Sequence, residues 1–416
     1  MVRPLEGIRV LDLTIVVAGP VGTGLLGDLG AEVIKVENTV QRQIIGAAPP
    51  RRAPGEAPPP MTQAQRAAGF HDLNRSKLGI TLNLNLPLAR DAFKKLAAKS
   101  DVVIDNFSPR VLRNFGLEYD DLVKVKPDII AVSMPAFGKT GPFRDRTSFG
   151  PGIDALSGLS HLTGYPDSTP LKPGNYYCDY NAGVLAATAI MAALFRRRRT
   201  GRGQFIEVAM RDGLTQLIGE SLIDYALNHR VQQRSANRDP YRAPHDVYRC
   251  AGEDSWLAVS VWNDAEWEAL CRTMGREDLI ADPRFSTILV RKRNESEVDA
   301  AVSAWAAHQE HQEAARKLQA AGVRAAPVMT TREIAHDPQF QHRNAFQAVD
   351  VEGQAIRLQR PGWLAERANT QISRAPKFSE HTVAVLRDIA GLDDREIREL
   401  AAIGGIVLPE VSEVKA

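Results

Sequence analysis

Residues 7–37 read GIRVLDLTIVVAGPVGTGLLGDLGAEVIKVE, and this stretch decides the fold. It begins with an apolar run, residues 7–14, and ends with a second one, residues 31–37; both are typical of strands buried on two faces. The turn Ala18-Gly19-Pro20 separates the first run from a segment of helical spacing that Gly30 closes. A strand, a helix and a second strand over about 30 residues form a βαβ unit, so the two strands are predicted to be parallel.

The same alternation continues as far as residue 210. Further strands are predicted at 79–84, 101–106, 128–134 and 204–210, and helices at 87–99, 110–124 and 182–199. A proline-rich segment, residues 46–60, interrupts the pattern and predicts an exposed loop. Repeated strand–helix units build a doubly wound parallel sheet, so the predicted fold class is α/β.

A change of pattern after about residue 213 indicates a second domain. Helical segments dominate there, with one predicted strand pair within residues 247–261. We expect the first part of a large domain over 1–224, a smaller α+β domain over 225–330, and a connector that returns to the large domain over 331–416.

The composition excludes several classes of protein. Lys and Arg number 52 against 50 Asp and Glu, and the formal net charge of +2 gives no general field for nucleic acid or an anionic membrane. The longest apolar stretch, residues 182–195, is shorter than the roughly 18 residues of a membrane helix. Three cysteines are too few for a disulfide framework and favour a reducing compartment. We therefore expect a cytoplasmic protein that binds neither nucleic acid nor membrane.

Asp179 is the residue whose position most suggests chemistry. It comes just before the helix predicted to begin near Ala182, where free amide groups and the helix dipole keep a carboxylate ionised. An ordinary helix cap accounts for this position; so does a nucleophilic carboxylate with oxyanion donors beside it. The sequence suggests no metal site, because no cysteine or third histidine accompanies His308 and His311.

Several motifs, in order along nearly the whole chain, resemble the class III coenzyme A transferases. Beyond residues 4–37 they include Asn74-Arg75-Ser76-Lys77, Asp105-Asn106-Phe107, and Asp179 followed by Ala182-Gly183. The likeness continues in RRRRTGRGQFIEVAM, which ends at Met210, in NRDPYRAPHDVYRC from Asn237, and in RAPKFSEHT from Arg374.

The resemblance implies a fold, an assembly and a reaction. The implied fold is a Rossmann-like CoA-binding domain built from both chain ends, with a smaller domain, in a dimer of interlocked subunits. Asp179 matches the family's nucleophile, which forms a mixed anhydride with the acyl group of an acyl-CoA donor. An aspartyl-CoA thioester follows, and a carboxylic acid then takes the CoA. CoA and acyl-CoA are substrates, so neither a metal nor a permanently bound cofactor is implied.

The resemblance also implies a CoA site. The matching positions are Val16, Val17, Ala18, Arg75, Lys77, Asn106, Phe107 and Val111, with Arg75 and Lys77 as phosphate partners. The chain departs from the formyl-CoA transferases at Val17, Asn38 and Asn114, and residues 235–249 lack their glycine-rich loop. These departures argue against formyl-CoA and oxalate, and they favour a larger or more apolar acid, such as a dicarboxylic, branched or aromatic one.

Two alternatives stay open at this point. An α-methylacyl-CoA racemase-like epimerase shares the early motifs, but it needs a His-Asp pair where residues 147–152 hold no histidine. A non-catalytic CoA-binding subunit of a heteromeric CoA-transferase would bind CoA without using Asp179. The identities of the acid and the donor, and the choice between a homodimer and a heteromer with a related subunit, are likewise open.

Overall fold

The computed structural model describes residues 3–39, 68–364, 366, 370 and 372–409. The loop predicted over 46–60 lies outside the described residues. The chain forms two compact units: the first comprises Met1–Ser160, Lys172–Val231 and Gln341–Ala416, and the second comprises His161–Leu171 and Gln232–Phe340. The limits of the small domain at 225 and 330 stay a prediction. The second unit also takes in His161–Leu171, a segment that no change of composition marks.

A six-stranded parallel sheet forms the centre of the first unit, which confirms the α/β prediction. Its strands are β1 (Arg9–Asp12), β2 (Glu32–Glu37), β3 (Lys77–Thr81), β4 (Val102–Asp105), β5 (Ile130–Ser133) and β6 (Gln204–Glu207), in the order β3-β2-β1-β4-β5-β6. Each neighbouring pair is parallel. The order reverses between β1 and β4, and ligands of doubly wound sheets bind at such a switch point, outside the carboxyl ends of the strands.

The helices that accompany this sheet differ from the prediction in several places, and the predicted turn Ala18-Gly19-Pro20 was wrong, because these residues form the first turn of a helix. They are α1 (Ala18–Asp28), α2 (Ala68–Asn74), α3 (Pro87–Ala97), α4 (Arg110–Phe115), α5 (Tyr119–Val125), α6 (Gly150–Leu156), α7 (Leu159–Leu162), α8 (Tyr177–Thr200), α9 (Met210–Thr215) and α10 (Gly219–Asn228). The helix predicted over 110–124 is divided into α4 and α5, because Gly116 adopts a left-handed conformation with φ +63°. The helix predicted from Ala182 begins five residues earlier, at Tyr177.

The second unit contains an antiparallel sheet and several helices. The strands are β7 (His245–Arg249), β8 (Trp256–Ser260) and β9 (Arg324–Pro327), in the order β7-β8-β9. The helices between residues 264 and 342 are α11 (Asp264–Met274), α12 (Asp278–Ala281), α13 (Ile288–Arg293), α14 (Glu295–Ala306), α15 (His311–Ala320), α16 (Thr331–His336) and α17 (Pro338–His342).

The C-terminal part of the chain returns to the first unit. It forms the hairpin β10 (Phe346–Val351) and β11 (Gln354–Gln359), followed by α18 (Thr382–Asp388) and α19 (Asp394–Ala402). Leu386 of α18 and Leu400 of α19 share a core with Phe93 of α3 on one face of the parallel sheet. The opposite face is covered by a second core that includes Leu26 of α1 and Ile190 of α8. Burial of both faces explains why the strands are apolar without alternation.

One described helix, α8, is long and apolar enough to cross a membrane by length and composition. It nevertheless packs on α1, and Ala182, Ala186 and Ile190 are buried in the core of the first unit. A central helix of a folded core has this composition as well.

Candidate active site

Asp179 lies in the first turn of α8. The helix begins earlier than predicted because Tyr176, with φ +58°, turns the chain in the left-handed conformation just before it. Asp179 is therefore the third residue of the helix, and its own backbone amide donates a hydrogen bond to its carboxylate. The positive end of the helix dipole favours the ionised carboxylate at this position.

Burial acts against ionisation of the same group. Asp179 is only 7% exposed, and among the described residues its Oδ2 atom has no hydrogen-bond partner. Burial, together with the negative charge of Asp154, raises the pKa of Asp179 to about 6. The carboxylate is thus mainly ionised at pH 7 but more basic than an ordinary aspartate, which suits a nucleophile that attacks a carbonyl carbon.

The backbone of α6 closes one side of the carboxylate. A Cβ atom at Gly150, the first residue of α6, would lie 2.2 Å from Oδ2 of Asp179. Glycine therefore allows the chain to approach the Asp179 carboxylate more closely than any other residue type could.

The helix that carries Asp179 packs closely on α1. A Cβ atom at Gly22 would lie 2.7 Å from the carbonyl oxygen of Gly183, and one at Gly183 would lie 2.6 Å from the carbonyl oxygen of Ala18. Because α1 follows the parallel strand β1 and α8 leads directly into β6, both helices begin at the carboxyl edge of the sheet. Asp179 and the turn before α1 therefore lie at the same edge.

A cavity of about 490 Å³ opens at this edge, beside the switch point between β1 and β4. Three of the predicted CoA-binding residues line it, namely Val16, Phe107 and Val111. Most of the remaining lining residues are apolar, and Lys35 is one of the polar residues among them. Mostly apolar walls with few polar groups, and a volume of this order, are typical of small-molecule sites.

Asn106 holds the chain segment that forms one wall of this cavity. Its Oδ1 atom accepts from the amide of Ile15, and its Nδ2 atom donates to the carbonyl of Ile15, both at 2.8 Å. The next residue, Val16, adopts φ +65°, a strained conformation for a β-branched side chain. Val17 and Ala18 are buried beneath the turn and do not line the cavity.

In the structure, the two predicted phosphate partners, Arg75 and Lys77, form ion pairs with buried aspartates. Arg75 forms an ion pair of 2.7 Å with the buried Asp28. Lys77 is fully buried and lies 3.0 Å from Asp12, with a further hydrogen bond to the Asn74 side chain. Neither cation lines the cavity, and their contact with CoA phosphates stays a prediction.

Sequence reasoning missed four residues at this edge. Gly150 lies in residues 147–152, which entered the sequence analysis only for their lack of histidine, and Asp154 follows two residues after this segment. Lys35 lines the main cavity, and Arg90 lines a neighbouring cavity of about 380 Å³ that shares Asn85, Val111 and Phe115 with it. Helical or strand spacing contains no signal for such positions, because the side chains meet only after the sheet has formed.

Other chemistries find little support in the residues that the structure describes. Within these ranges no group of three or more His, Cys, Asp or Glu side chains is arranged to hold a metal. The thiol of Cys178, next to Asp179, is buried, and burial with the nearby carboxylates raises its pKa to about 12. A thiol so rarely ionised is a poor nucleophile.

Comparison with known proteins connects this geometry to a family. A sequence model of CoA-transferase family III matches residues 5–382. The chain is 31% identical to succinyl-CoA–D-citramalate CoA-transferase of Chloroflexus aurantiacus, over 96% of this chain and 97% of the relative. It is also 31% identical to the beta subunit of succinyl-CoA–L-malate CoA-transferase of that organism, over 95% and 96%. Identity to succinyl-CoA:mesaconate CoA-transferase of Haloarcula marismortui is 33%, over 94% and 97%.

The fold is found in solved structures as well. A crystal structure of a CAIB/BAIF family protein from Brucella suis superposes with a TM-score of 0.83 at 31% sequence identity. The similarity covers 93% of this chain and 99% of the Brucella chain. The similarity therefore includes both units and the C-terminal return.

Proposed function

Because this chain belongs to CoA-transferase family III and is an acyl-CoA:carboxylate CoA-transferase, we propose that Asp179 is the nucleophile that carries the CoA between the two acids. The observation that supports this role is a buried carboxylate at the carboxyl edge of the sheet, beside the turn before α1, with one oxygen that has no hydrogen-bond partner in the described part of the chain. Its raised pKa makes it a stronger nucleophile while it stays mainly ionised at neutral pH.

The proposed reaction proceeds in balanced steps. The Asp179 carboxylate attacks the thioester carbon of the donor; the carbon–sulfur bond breaks, and its electron pair leaves on the CoA thiolate. The thiolate attacks the Asp179 carbonyl carbon of the resulting anhydride, which releases the donor acid as a carboxylate and leaves an aspartyl-CoA thioester. The acceptor carboxylate then runs both steps in reverse. One carboxylate enters and one leaves, so the cycle takes up no net proton and needs no metal or resident cofactor.

We place the CoA in the cavity at the carboxyl edge. Val16, Phe107 and Val111 contact its apolar arm, Asn106 fixes the turn that contains Val16, and Val17 and Ala18 support that turn from below. Among the described residues, Lys35 and Arg90 are cations on the walls of the two adjoining cavities, and we propose them as partners of CoA phosphates; the Lys35 ammonium now donates to the Thr14 carbonyl, and Arg90 to the carbonyls of Leu84 and Asn85. Arg75 and Lys77 would reach a phosphate only by leaving their carboxylate partners.

We propose succinyl-CoA as donor and a dicarboxylic acid as acceptor. Three relatives that match nearly the whole chain are named for succinyl-CoA with D-citramalate, L-malate or mesaconate. This choice agrees with the sequence-based expectation of an acid larger than formate or oxalate.

We further propose that the working form is a dimer of interlocked subunits. Every residue of α10 is at least partly exposed, and Leu222, Ile223 and Leu227 are each at least half exposed. Phe195 on α8 is equally uncovered. Large apolar side chains grouped in this way are typical of an interface between chains. A related subunit is the alternative partner, since one relative is named as a beta subunit.

Trapping the enzyme-bound intermediate tests the role of Asp179. Succinyl-CoA plus hydroxylamine should convert the Asp179 peptide to a hydroxamate, detected by mass spectrometry, in the wild type. The variant Asp179→Asn should lose CoA transfer by at least about 10³-fold, as expected for removal of a covalent nucleophile. The matched control Asp212→Asn alters an exposed aspartate of α9 and should keep wild-type turnover. An unmodified Asp179 peptide during turnover would contradict the proposal.

A further inference from the structure

The nucleophile has a neighbour that the proposed reaction does not use. Asp154, on α6, is only 1% exposed, and among the described residues its Oδ1 atom has no hydrogen-bond partner. Buried carboxyl groups in folded proteins are normally paired with cations or fully hydrogen-bonded. A buried aspartate with an unpartnered oxygen therefore calls for a functional explanation.

The register of α6 brings Asp154 to the nucleophile. Asp154 follows Gly150 by four residues, so the two lie one above the other on the same face of the helix. Gly150 lies against Oδ2 of Asp179, and the backbone amide of Cys178 donates a hydrogen bond to Asp154. Both carboxyl groups are thus held between α6 and the first turn of α8.

No cation neutralises this pair within the described part of the chain. From the α8 side, the titratable groups are Asp179 itself and the thiol of Cys178, which stays protonated. Burial raises the pKa of Asp154, and the hydrogen bond from the Cys178 amide and the charge of Lys172, in the segment before α8, act in the opposite direction without reversing the rise. From α9, the other helix packed on α6, Arg211 and Asp212 pair with each other at 3.3 Å. The charge of Asp154 therefore acts on Asp179 with little compensation.

On the basis of the proposed function, we propose that Asp154 is a positioning residue whose negative charge makes the Asp179 carboxylate a less stable anion and favours its uncharged, acylated forms. The nucleophile loses its charge when it becomes the anhydride, and it stays uncharged as the thioester. Repulsion from Asp154 is therefore relieved in the first step and returns only when Asp179 is released. Asp179 has already given up part of its charge in the transition state of this step, so the repulsion differs between ground state and transition state, which is the requirement for an effect on rate.

The pH dependence of kcat/KM in Asp154→Asn tests the idea. Its acid limb reports ionisation of the free enzyme's nucleophile. Removing the negative charge lets Asp179 ionise more easily, so we expect the limb to move down by about 0.5–1 pH unit. At pH 8, kcat should fall by about threefold or more, which corresponds to half a pKa unit, while KM for succinyl-CoA stays within about twofold. The conservative variant Asp154→Glu should keep the limb near its wild-type position, because it restores the charge.

A matched control separates the local effect from a general one. Asp299, a half-buried aspartate in the second unit, likewise has a pKa that burial raises. Asp299→Asn should leave the acid limb where it is. An acid limb at the wild-type pH in Asp154→Asn would overturn the proposal, and so would the same shift in Asp299→Asn. If Asp154→Asn fails to fold, Asp154→Ser, which also removes the charge and can accept from the Cys178 amide, takes its place.

A second measurement does not depend on activity. In the folded protein the pKa of Asp179 is raised, so its ionisation destabilises the fold progressively as the pH rises from about 4 to 7. Without the Asp154 charge this loss should be smaller, and the melting temperature of Asp154→Asn should fall less over that range than that of the wild type. Identical pH profiles of melting would overturn the inference even if the chain transfers CoA through Asp179. Failure of hydroxamate trapping, with the difference in melting preserved, would instead overturn the proposed function alone.

Discussion

Replacing Gly150 with alanine tests the placement of the nucleophile most directly. The new Cβ atom would lie 2.2 Å from Oδ2 of Asp179, whereas ordinary van der Waals contact begins at 3.4 Å. Gly150 does not adopt a positive φ, so the backbone itself accepts alanine. The contact can therefore be relieved only if the carboxylate and α6 move apart by about 1 Å, a displacement that matters for a reacting group.

The expected loss follows from that displacement. Misplacement of a reacting group by about 1 Å costs roughly 100-fold in rate, so kcat of Gly150→Ala should fall by about this factor. KM for the CoA donor should change little, because Gly150 does not line the cavity in which we place CoA. The fold should tolerate the change, since alanine is favoured over glycine in a helix by up to about 1 kcal/mol.

The chain offers a matched control two residues further along. A Cβ atom at Gly152 would meet the Ser148 hydroxyl at 2.4 Å, but this side chain is partly exposed and can rotate away. Initial rates of CoA transfer, followed by chromatography of the CoA esters, should show wild-type kcat for Gly152→Ala, and circular dichroism should show intact folding of both variants. Wild-type kcat in Gly150→Ala would refute the reasoning, because the nucleophile would then not be held against this backbone.

Three further changes address other parts of the structure. Lys77→Met leaves the buried Asp12 without its ion-pair partner and should lower the free energy of unfolding, measured in urea titrations, by about 3–5 kcal/mol. A raised KM for CoA without loss of stability would instead mean that Lys77 reaches a phosphate. Asn106→Ala removes two hydrogen bonds to Ile15 and should raise KM for the CoA donor roughly tenfold in steady-state kinetics. An unchanged KM would mean that this turn takes no part in CoA binding. Leu222→Asp places a charge on the exposed face of α10 and should yield monomers in sedimentation experiments, whereas an intact dimer would place the interface elsewhere.

The residues that could be predicted from sequence are those whose signal is local. Residues 7–37 contain a complete βαβ pattern, and Asp179 is recognisable because it stands at the start of an apolar helix. The predicted start of α8 was wrong by five residues. The turn before the helix depends on a left-handed conformation at Tyr176, and tyrosine rarely adopts this conformation, so the sequence contains no signal for it.

Pairings across the sequence were beyond prediction for a different reason. Whether Lys77 faces a ligand or Asp12 depends on how β1 and β3 lie on either side of β2, and these two residues are 65 positions apart in the sequence. The approach of Gly150 to Asp179 depends likewise on how α6 and α8 pack. Spacing within one element contains no information about such contacts, which arise only from the assembled sheet and its helices.

The close contact between Gly22 and Gly183 fixes the distance between helices α1 and α8. Both glycines lie in the second turns of their helices, where main-chain atoms of α1 and α8 meet, so the span between the turn before α1 and the Asp179 carboxylate is set by the main chain. If CoA binds in the cavity where we place it, its arm has one length, and a fixed span brings every thioester to the same point whatever acid it bears. Changes of acid preference among such enzymes can then accumulate elsewhere in the chain. A side chain at either of these two glycines would instead push α1 and α8 apart and lengthen the span.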